Sequence, residues 1–230
     1  MLKKSFFVVF AVLFLDQLLK FWIKTHLALG QEIHIAGNWF ILHFTENNGM
    51  AFGMQFAGGY GKLALSLFRI FAVIFLGWYI VHLAKKKTRF GVIFCFSLIL
   101  AGALGNIIDS AVYGMIFSES TYFDLARFLP VEGGYSTFLH GRVVDMLYFP
   151  ILEGTYPQWI PFLGGSSFIF YRPVFNIADS SITTGVFILL IFYRQFFYSN
   201  EEKNTIPIAQ VALEDQANKE VQLPGKDNSV

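Results

Sequence analysis

Four stretches of this chain are too long and too apolar to be at ease in water: about 5–23, about 62–84, about 90–112 and about 176–198. Each approaches the ~20 residues that carry a helix across ~30 Å of hydrocarbon. That constraint sets the expected fold class: an all-α membrane protein of four transmembrane helices, with a small extracytoplasmic β-hairpin and a long outer loop. The composition agrees, since only 14% of the residues are charged against roughly 25% in soluble domains. A formal net charge of +1 gives no reason to expect nucleic acid as a partner. The single cysteine, Cys95, lies in an apolar run, which rules out a disulfide framework or a thiolate metal site within one chain. Cys95 reads as a small lipid- or helix-facing residue, and neither a metal nor a cofactor is expected.

The basic residues fix an orientation. Lys85-Lys86-Lys87-Thr88-Arg89 joins spans two and three, and the positive-inside rule puts such a short loop in the cytoplasm. Lys3, Lys4 and the chain after Arg194 then fall on the same side, and segments 24–61 and 113–175 face outward. Lys3-Lys4 and the apolar run after it resemble a signal peptide. No small-residue cleavage site follows, however, and the pattern continues to Ile23, so this segment reads as a retained first helix. In the first outer segment, Glu32–Ile35 and Trp39–Thr45 flank Gly37-Asn38, the pattern of a β-hairpin. The second is rich in Gly, Pro and aromatics and suits a membrane interface. Residues 199–230 are polar and read as a disordered cytoplasmic tail behind a membrane domain of residues 1–198.

Ionisable residues inside membrane spans are functional candidates by default. Span one carries Asp16, Gln17 and Lys20; span three ends Gly105-Asn106-Ile107-Ile108-Asp109; span four begins Phe175-Asn176-Ile177-Ala178-Asp179. In the last two an Asn stands three residues before an Asp, so amide and carboxylate share a helix face. With the orientation above, Asp16, Asp109 and Asp179 all fall in the outer half of their spans, and Asp145 lies in an apolar part of the outer loop. Four carboxylates thus converge on one leaflet. Simpler readings stand beside this one. Asp16–Lys20 reads first as a structural ion pair, Asp109 equally as a helix anchor, and Asn47-Asn48-Gly49, on spacing alone, as a turn. His34 and His43 lack metal-ligand spacing, which favours surface or packing roles.

Two carboxyl groups brought together in a poorly solvated place share one proton. The ionised partner can then take a proton from water while the protonated one polarises a peptide carbonyl. Asp145 and Asp179 are the candidates for that pair, because both lie where water can enter. No HExxH, GxSxG or paired Cys–His arrangement occurs. A non-enzymatic alternative is a small receptor or transporter subunit using its buried charges for ion or partner contact.

Taken together, Asp16-Gln17-Leu18-Leu19-Lys20, Asn47-Asn48-Gly49-Met50-Ala51-Phe52-Gly53, Gly105-Asn106-Ile107-Ile108-Asp109, Val143-Val144-Asp145 and Phe175-Asn176-Ile177-Ala178-Asp179 resemble the lipoprotein signal peptidase (signal peptidase II) family in order and position. The resemblance covers residues 10–198. It implies a membrane aspartyl protease of the bacterial inner membrane with Asp145 and Asp179 as the catalytic pair. It further implies that Asp16, Lys20, Asn47, Gly49, Asn106, Asp109 and Asn176 support the site and the bound peptide. The substrate implied is a diacylglyceryl-modified prolipoprotein cut on the amino side of its lipidated cysteine, met among membrane phospholipid. A monomer is expected. This sequence departs from the family in two places. Ser110 stands where an Arg commonly follows the Asp, and Arg142, three residues before Asp145, is the expected substitute for binding substrate or lipid. The 35 residues from 110 to 144 also exceed the usual spacing, so a lid or interface element is expected there.

Overall fold

The computed structural model describes residues 1–47, 58–150, 152–162, 164–170 and 174–193. The first helix, α1 (Leu2–His26), is built inside out. Its buried residues are Ser5, Asp16, Lys20, Ile23 and Lys24, spaced so that they share one helix face. Phe6, Phe7, Phe10, Phe14, Leu15 and Leu18 are exposed. Such a helix is at ease only where the outer solvent is hydrocarbon. In α2 (Gly58–Lys85), Leu67, Phe71, Ile74, Phe75 and Trp78 form a similar outward stripe.

The third helix, α3 (Phe90–Ile108), is the central one and packs against both α1 and α2. Its buried residues include Cys95 and Ser97, so Cys95 faces other helices rather than lipid. A π-helical turn, Asp109–Tyr113, and a short α4, Gly114–Ile116, prolong it. The apolar helical run therefore reaches Ile116, beyond the expected 112. Among the described residues, three helical runs are long and apolar enough to cross a membrane, and a shorter apolar helix, α5 (Ile177–Phe192), follows. The expected span to 198 and the polar tail extend outside the described residues. The chain divides into two compact units, Met1–Phe187 and Ile188–Val230. The described part of the second, Ile188–Tyr193, contains the last turns of α5.

The β structure is larger than the expected hairpin. β1 (Glu32–Ala36) and β2 (Phe40–Asn47) pair antiparallel around Gly37-Asn38. A third strand, β3 (Val143–Tyr148), then pairs with β2 in the order β1-β2-β3. Asp145 therefore lies on a strand, opposite Thr45, rather than in a loop. The all-α expectation is corrected accordingly. A second antiparallel pair, β4 (Leu152–Thr155) with β5 (Ser167–Phe170), occupies part of the expected long outer loop. Beneath β2 and β3, a core of Phe44, Val144 and Met146 meets Ile23 of α1, Leu27 just after it, and Tyr113 and Phe117 beyond α3.

Helices α3 and α5 touch at backbone distance. A Cβ on Gly102 would stand 2.2 Å from the Ala178 carbonyl oxygen, and one on Gly105 would stand 2.6 Å from Oδ2 of Asp16. Neither neighbour is the loose end of a long side chain, so even a methyl forces the helices apart. Gly102→Ala is expected to cost about 1–3 kcal/mol, the usual range for overpacking, and to lower the thermal unfolding midpoint in detergent. An unchanged midpoint would mean that α5 does not approach α3 this closely.

Candidate active site

The buried face of α1 supplies the first layer of the site. Lys20 is fully buried, and its Nζ lies 2.9 Å from Oδ2 of Asp16 and 2.8 Å from Oδ2 of Asp109. It also donates to Oδ1 of Asn106 at 3.0 Å. The Asp16–Lys20 pair read from the helical spacing is thus one side of a three-way contact. Asp109 is more than a helix anchor. Its Oδ1 accepts from Gln17 Nε2 at 3.0 Å, and its Oδ2 accepts the Val144 amide N–H at 3.2 Å. The π-helical turn that begins at Asp109 widens the helix where this carboxylate enters the site, a feature often found at functional positions.

The second layer is the start of α5. Asn176 precedes the helix, and its Oδ1 accepts the Asp179 N–H at 2.9 Å, the side-chain cap expected of an Asn in that position. The Ala178 N–H is taken by Asp16 Oδ1 at 2.9 Å. Two amides of the first turn are therefore satisfied, one locally and one from across the protein, and Asp179 is held in that turn.

The third layer joins the two candidate catalytic carboxylates through amides. Asn106 Nδ2 donates to Asp179 Oδ1 at 2.8 Å. Asn176 Nδ2 donates to Asp145 Oδ1 at 2.7 Å and lies 3.2 Å from Asn106 Oδ1. Asn47, at the end of β2, donates to the other oxygen of Asp145. An isolated bridge between Leu147 and Phe175 lays the segment before α5 along β3 and fixes this spacing. Asp145 is buried and Asp179 is half-buried. Burial pushes the Asp145 carboxyl up to about 7, with the charge of Asp179 adding to the rise and Lys20 and the Asn176 hydrogen bond opposing it.

Of the expected site residues, Asp16, Lys20, Asn47, Asn106, Asp109, Asp145, Asn176 and Asp179 thus fall into one hydrogen-bonded cluster. Gly49 lies outside the described residues. Arg142 stands somewhat apart. Its guanidinium lies 2.9 Å from Glu119 Oε1 and 3.4 Å from Glu46 Oε2, and its side chain is 33% exposed. Two groups escaped the sequence reading. Arg69, half-buried on α2, is in the electrostatic field of Asp179, then Asp109 and Asp145. The second is Lys24, fully buried, which pairs with Glu46 and donates to Ser120 Oγ at 2.8 Å. Lys24 stands four residues after Lys20, and that spacing on one helix face is the signal that could have found it. His34 and His43 lie on the β1–β2 hairpin beside Glu32.

The sequence that builds this cluster matches a known family over most of its length. The pattern of signal peptidase (SPase) II covers residues 8–195. The chain belongs to the signal peptidase II family. It is 48% identical over 198 residues to a lipoprotein signal peptidase of Porphyromonas gingivalis, covering 85% of each chain. It is 38% identical over 180 residues to that of Amoebophilus asiaticus, covering 77% of this chain and 72% of the relative. Its fold is similar to that of a bacterial membrane enzyme solved by the in meso method at 2.3 Å resolution, with a TM-score of 0.55 and 25% identity. The similarity covers 87% of this chain and 92% of that one.

Among the described residues, Lys20 is the one cation touching both Asp16 and Asp109, so its loss leaves two buried carboxylates without a counter-charge in contact. Removing one partner from a buried ionic cluster costs about 3–5 kcal/mol. Lys20→Met is expected to lower the unfolding midpoint in detergent sharply, and adding Asp109→Asn in the same chain is expected to restore part of the loss. A double variant no more stable than the single one would show that Lys20 acts through packing rather than charge.

Proposed function

We propose that Asp145 and Asp179 share one proton and hydrolyse a peptide bond, releasing signal peptides from diacylglyceryl-modified prolipoproteins. The cut falls on the amino side of the lipidated cysteine. The aspartic peptidase activity is that of the family to which the chain belongs. The assignment of the two residues rests chiefly on one observation: Asp145 and Asp179 are tied to each other through the amides of Asn106 and Asn176. No titratable group stands in that chain of contacts.

In this reading Asp145, the more deeply buried of the two, holds the shared proton, and Asp179 takes a proton from an attacking water. The water oxygen adds to the peptide carbonyl carbon while the Asp145 proton moves to the carbonyl oxygen. Collapse of the tetrahedral adduct breaks the C–N bond: the proton held by Asp179 goes to the leaving amine, and one hydroxyl of the adduct returns its proton to Asp145 as the new carboxyl group forms. Asp16, Lys20 and Asp109 hold α1, α3 and the start of α5 in place and do not meet the substrate. The exposed third of Arg142 leaves it able to bind a substrate carbonyl or a lipid phosphate. The position of Arg69 makes it a second cation for that task, and Asn47 and Gly49 are assigned to support of the bound peptide.

The same reading sets α5 and the residues after it as a fourth span, with both termini cytoplasmic and the site at the periplasmic face of the inner membrane. Residues 1–198 form the protease domain and 199–230 a tail. A lipid-bearing substrate then reaches the site by lateral diffusion, and the protein acts as a monomer.

Turnover of a lipidated prolipoprotein, run beside thermal unfolding, tests the pair. Asp145→Asn and Asp179→Asn are each expected to abolish cleavage in a folded protein, because an amide can neither accept the water's proton nor exchange it. The double variant is expected to lose no more than either single one, as residues acting as a unit are strongly non-additive. Asp109→Asn is expected to lose stability or only part of the rate. Turnover by Asp145→Asn with a stable but inactive Asp109→Asn would transfer the role to Asp109.

A further inference from the structure

The segment between α4 and β3 forms a small folded element against the C-terminal end of α1. Phe117 and Phe128 pair as an antiparallel bridge. Ser118 N–H donates to Arg127 O at 2.9 Å, and Leu129 N–H donates to Ile116 O at 2.7 Å. The loop they close is fastened to the protein from beneath. Leu29 N–H donates to Thr121 O at 2.9 Å, and Lys24 Nζ donates to Ser120 Oγ at 2.8 Å. Its position is therefore set by buried polar contacts, while its apolar side chains remain outside.

Those outer side chains are large. Phe123 is 94% exposed, Leu129 63% and Val131 100%. A soluble surface rarely collects such groups without a use. Their neighbour on the spanning helix identifies the use. The Phe21 ring of α1 lies 5.2 Å from Phe128 in an edge-to-face contact and 5.5 Å from Phe117. Phe21 belongs to the outward stripe of α1 that includes Phe14, Leu15, Leu18 and Trp22. It lies five residues before the helix end at His26, about 7.5 Å inside it at 1.5 Å per residue. Trp22, stacked on His26, marks the depth where aromatic rings favour the membrane–water boundary. Phe128 thus sits beside the boundary turn of a membrane helix, and the exposed apolar groups around it extend the lipid-facing surface of α1.

We infer that residues 121–131 are seated in the lipid interface as a shallow anchor beside α1, with phospholipid as the occupant of this surface. The inference rests on the orientation proposed above only for the choice of the outer leaflet. A seat there holds Ser120 over Lys24 and Glu46, and Glu46 precedes Asn47 and pairs with Val144 across the sheet. The anchor thus supports the strand pair that carries Asp145.

The test uses a fluorophore sensitive to water. Cys95 is the sole cysteine and is buried, so Leu129→Cys in a Cys95→Ala background accepts a single nitrobenzoxadiazole label. The labelled full-length protein is placed at one copy per nanodisc of phosphatidylethanolamine and phosphatidylglycerol. The expected result is blue-shifted emission, quenched by lipids bearing a nitroxide near the headgroup. Water-like emission without quenching would overturn the anchor. Blue-shifted emission that lipid nitroxides leave unquenched would also overturn it, assigning the surface to protein, either a second copy or another chain. The readout needs no catalysis, so a failed anchor and a failed protease reading are distinguishable.

Discussion

The site depends on a lysine buried away from solvent. Lys20 is fully buried, yet it keeps a charge that Asp16 and Asp109 share at 2.9 and 2.8 Å. Removing an ion from water costs several kcal/mol even after relaxation. One carboxylate near 4 Å returns about 4 kcal/mol at an effective dielectric of 20. A second carboxylate and the Asn106 oxygen supply what a single pair does not. Each partner lies on a different segment or one turn away, so the charge can be satisfied only when α1 and the end of α3 are in register. Through the other oxygen of Asp16, the same cluster caps the Ala178 amide and brings in the start of α5. The glycines at 102 and 105 are the steric counterpart of that electrostatic demand.

The two carboxylates proposed to be catalytic are placed by a different chemistry, neutral amides. Asn47, Asn106 and Asn176 donate to Asp145 and Asp179 without adding a charge beside them. A lysine at that distance would hold both carboxylates ionised, whereas amides leave one free to retain a proton in a buried place. The division between a charged scaffold and a neutral-amide layer lets one hydrogen-bonded cluster contain four carboxylates.

Much of this was legible in the residues, for local reasons. Asp16 with Lys20, Asn106 with Asp109 and Asn176 with Asp179 are separated by three or four residues, so helix geometry alone puts each pair on one face. The parts that were not legible depend on distant pairing. Asn47 meets Asp145 across 98 positions, and nothing local announces that β3 joins the β1–β2 hairpin as a third strand. Arg69 stands alone in an apolar helix with no acidic residue a turn away, and its carboxylate neighbours come from other elements. The Glu46 cluster escaped for the same reason: Lys24, Ser120 and Arg142 converge on it from three segments. Its outer part, the segment before β3, showed its length in the sequence but not its seat against Phe21.

The central claim is that Asp145 and Asp179 hold one proton between them at neutral pH. The direct measurement is kcat/KM for a lipidated prolipoprotein in lipid across pH 4 to 9. Asp145 is pushed up to about 7 by burial and by the charge of Asp179, so the shared proton is lost as pH rises through that value. The predicted profile is a bell whose alkaline limb falls with an apparent pKa near 7, a value that belongs to the pair rather than to one residue. A rate that stays level or climbs from pH 7 to 9 would contradict a shared proton and, with it, the mechanism built on these two aspartates.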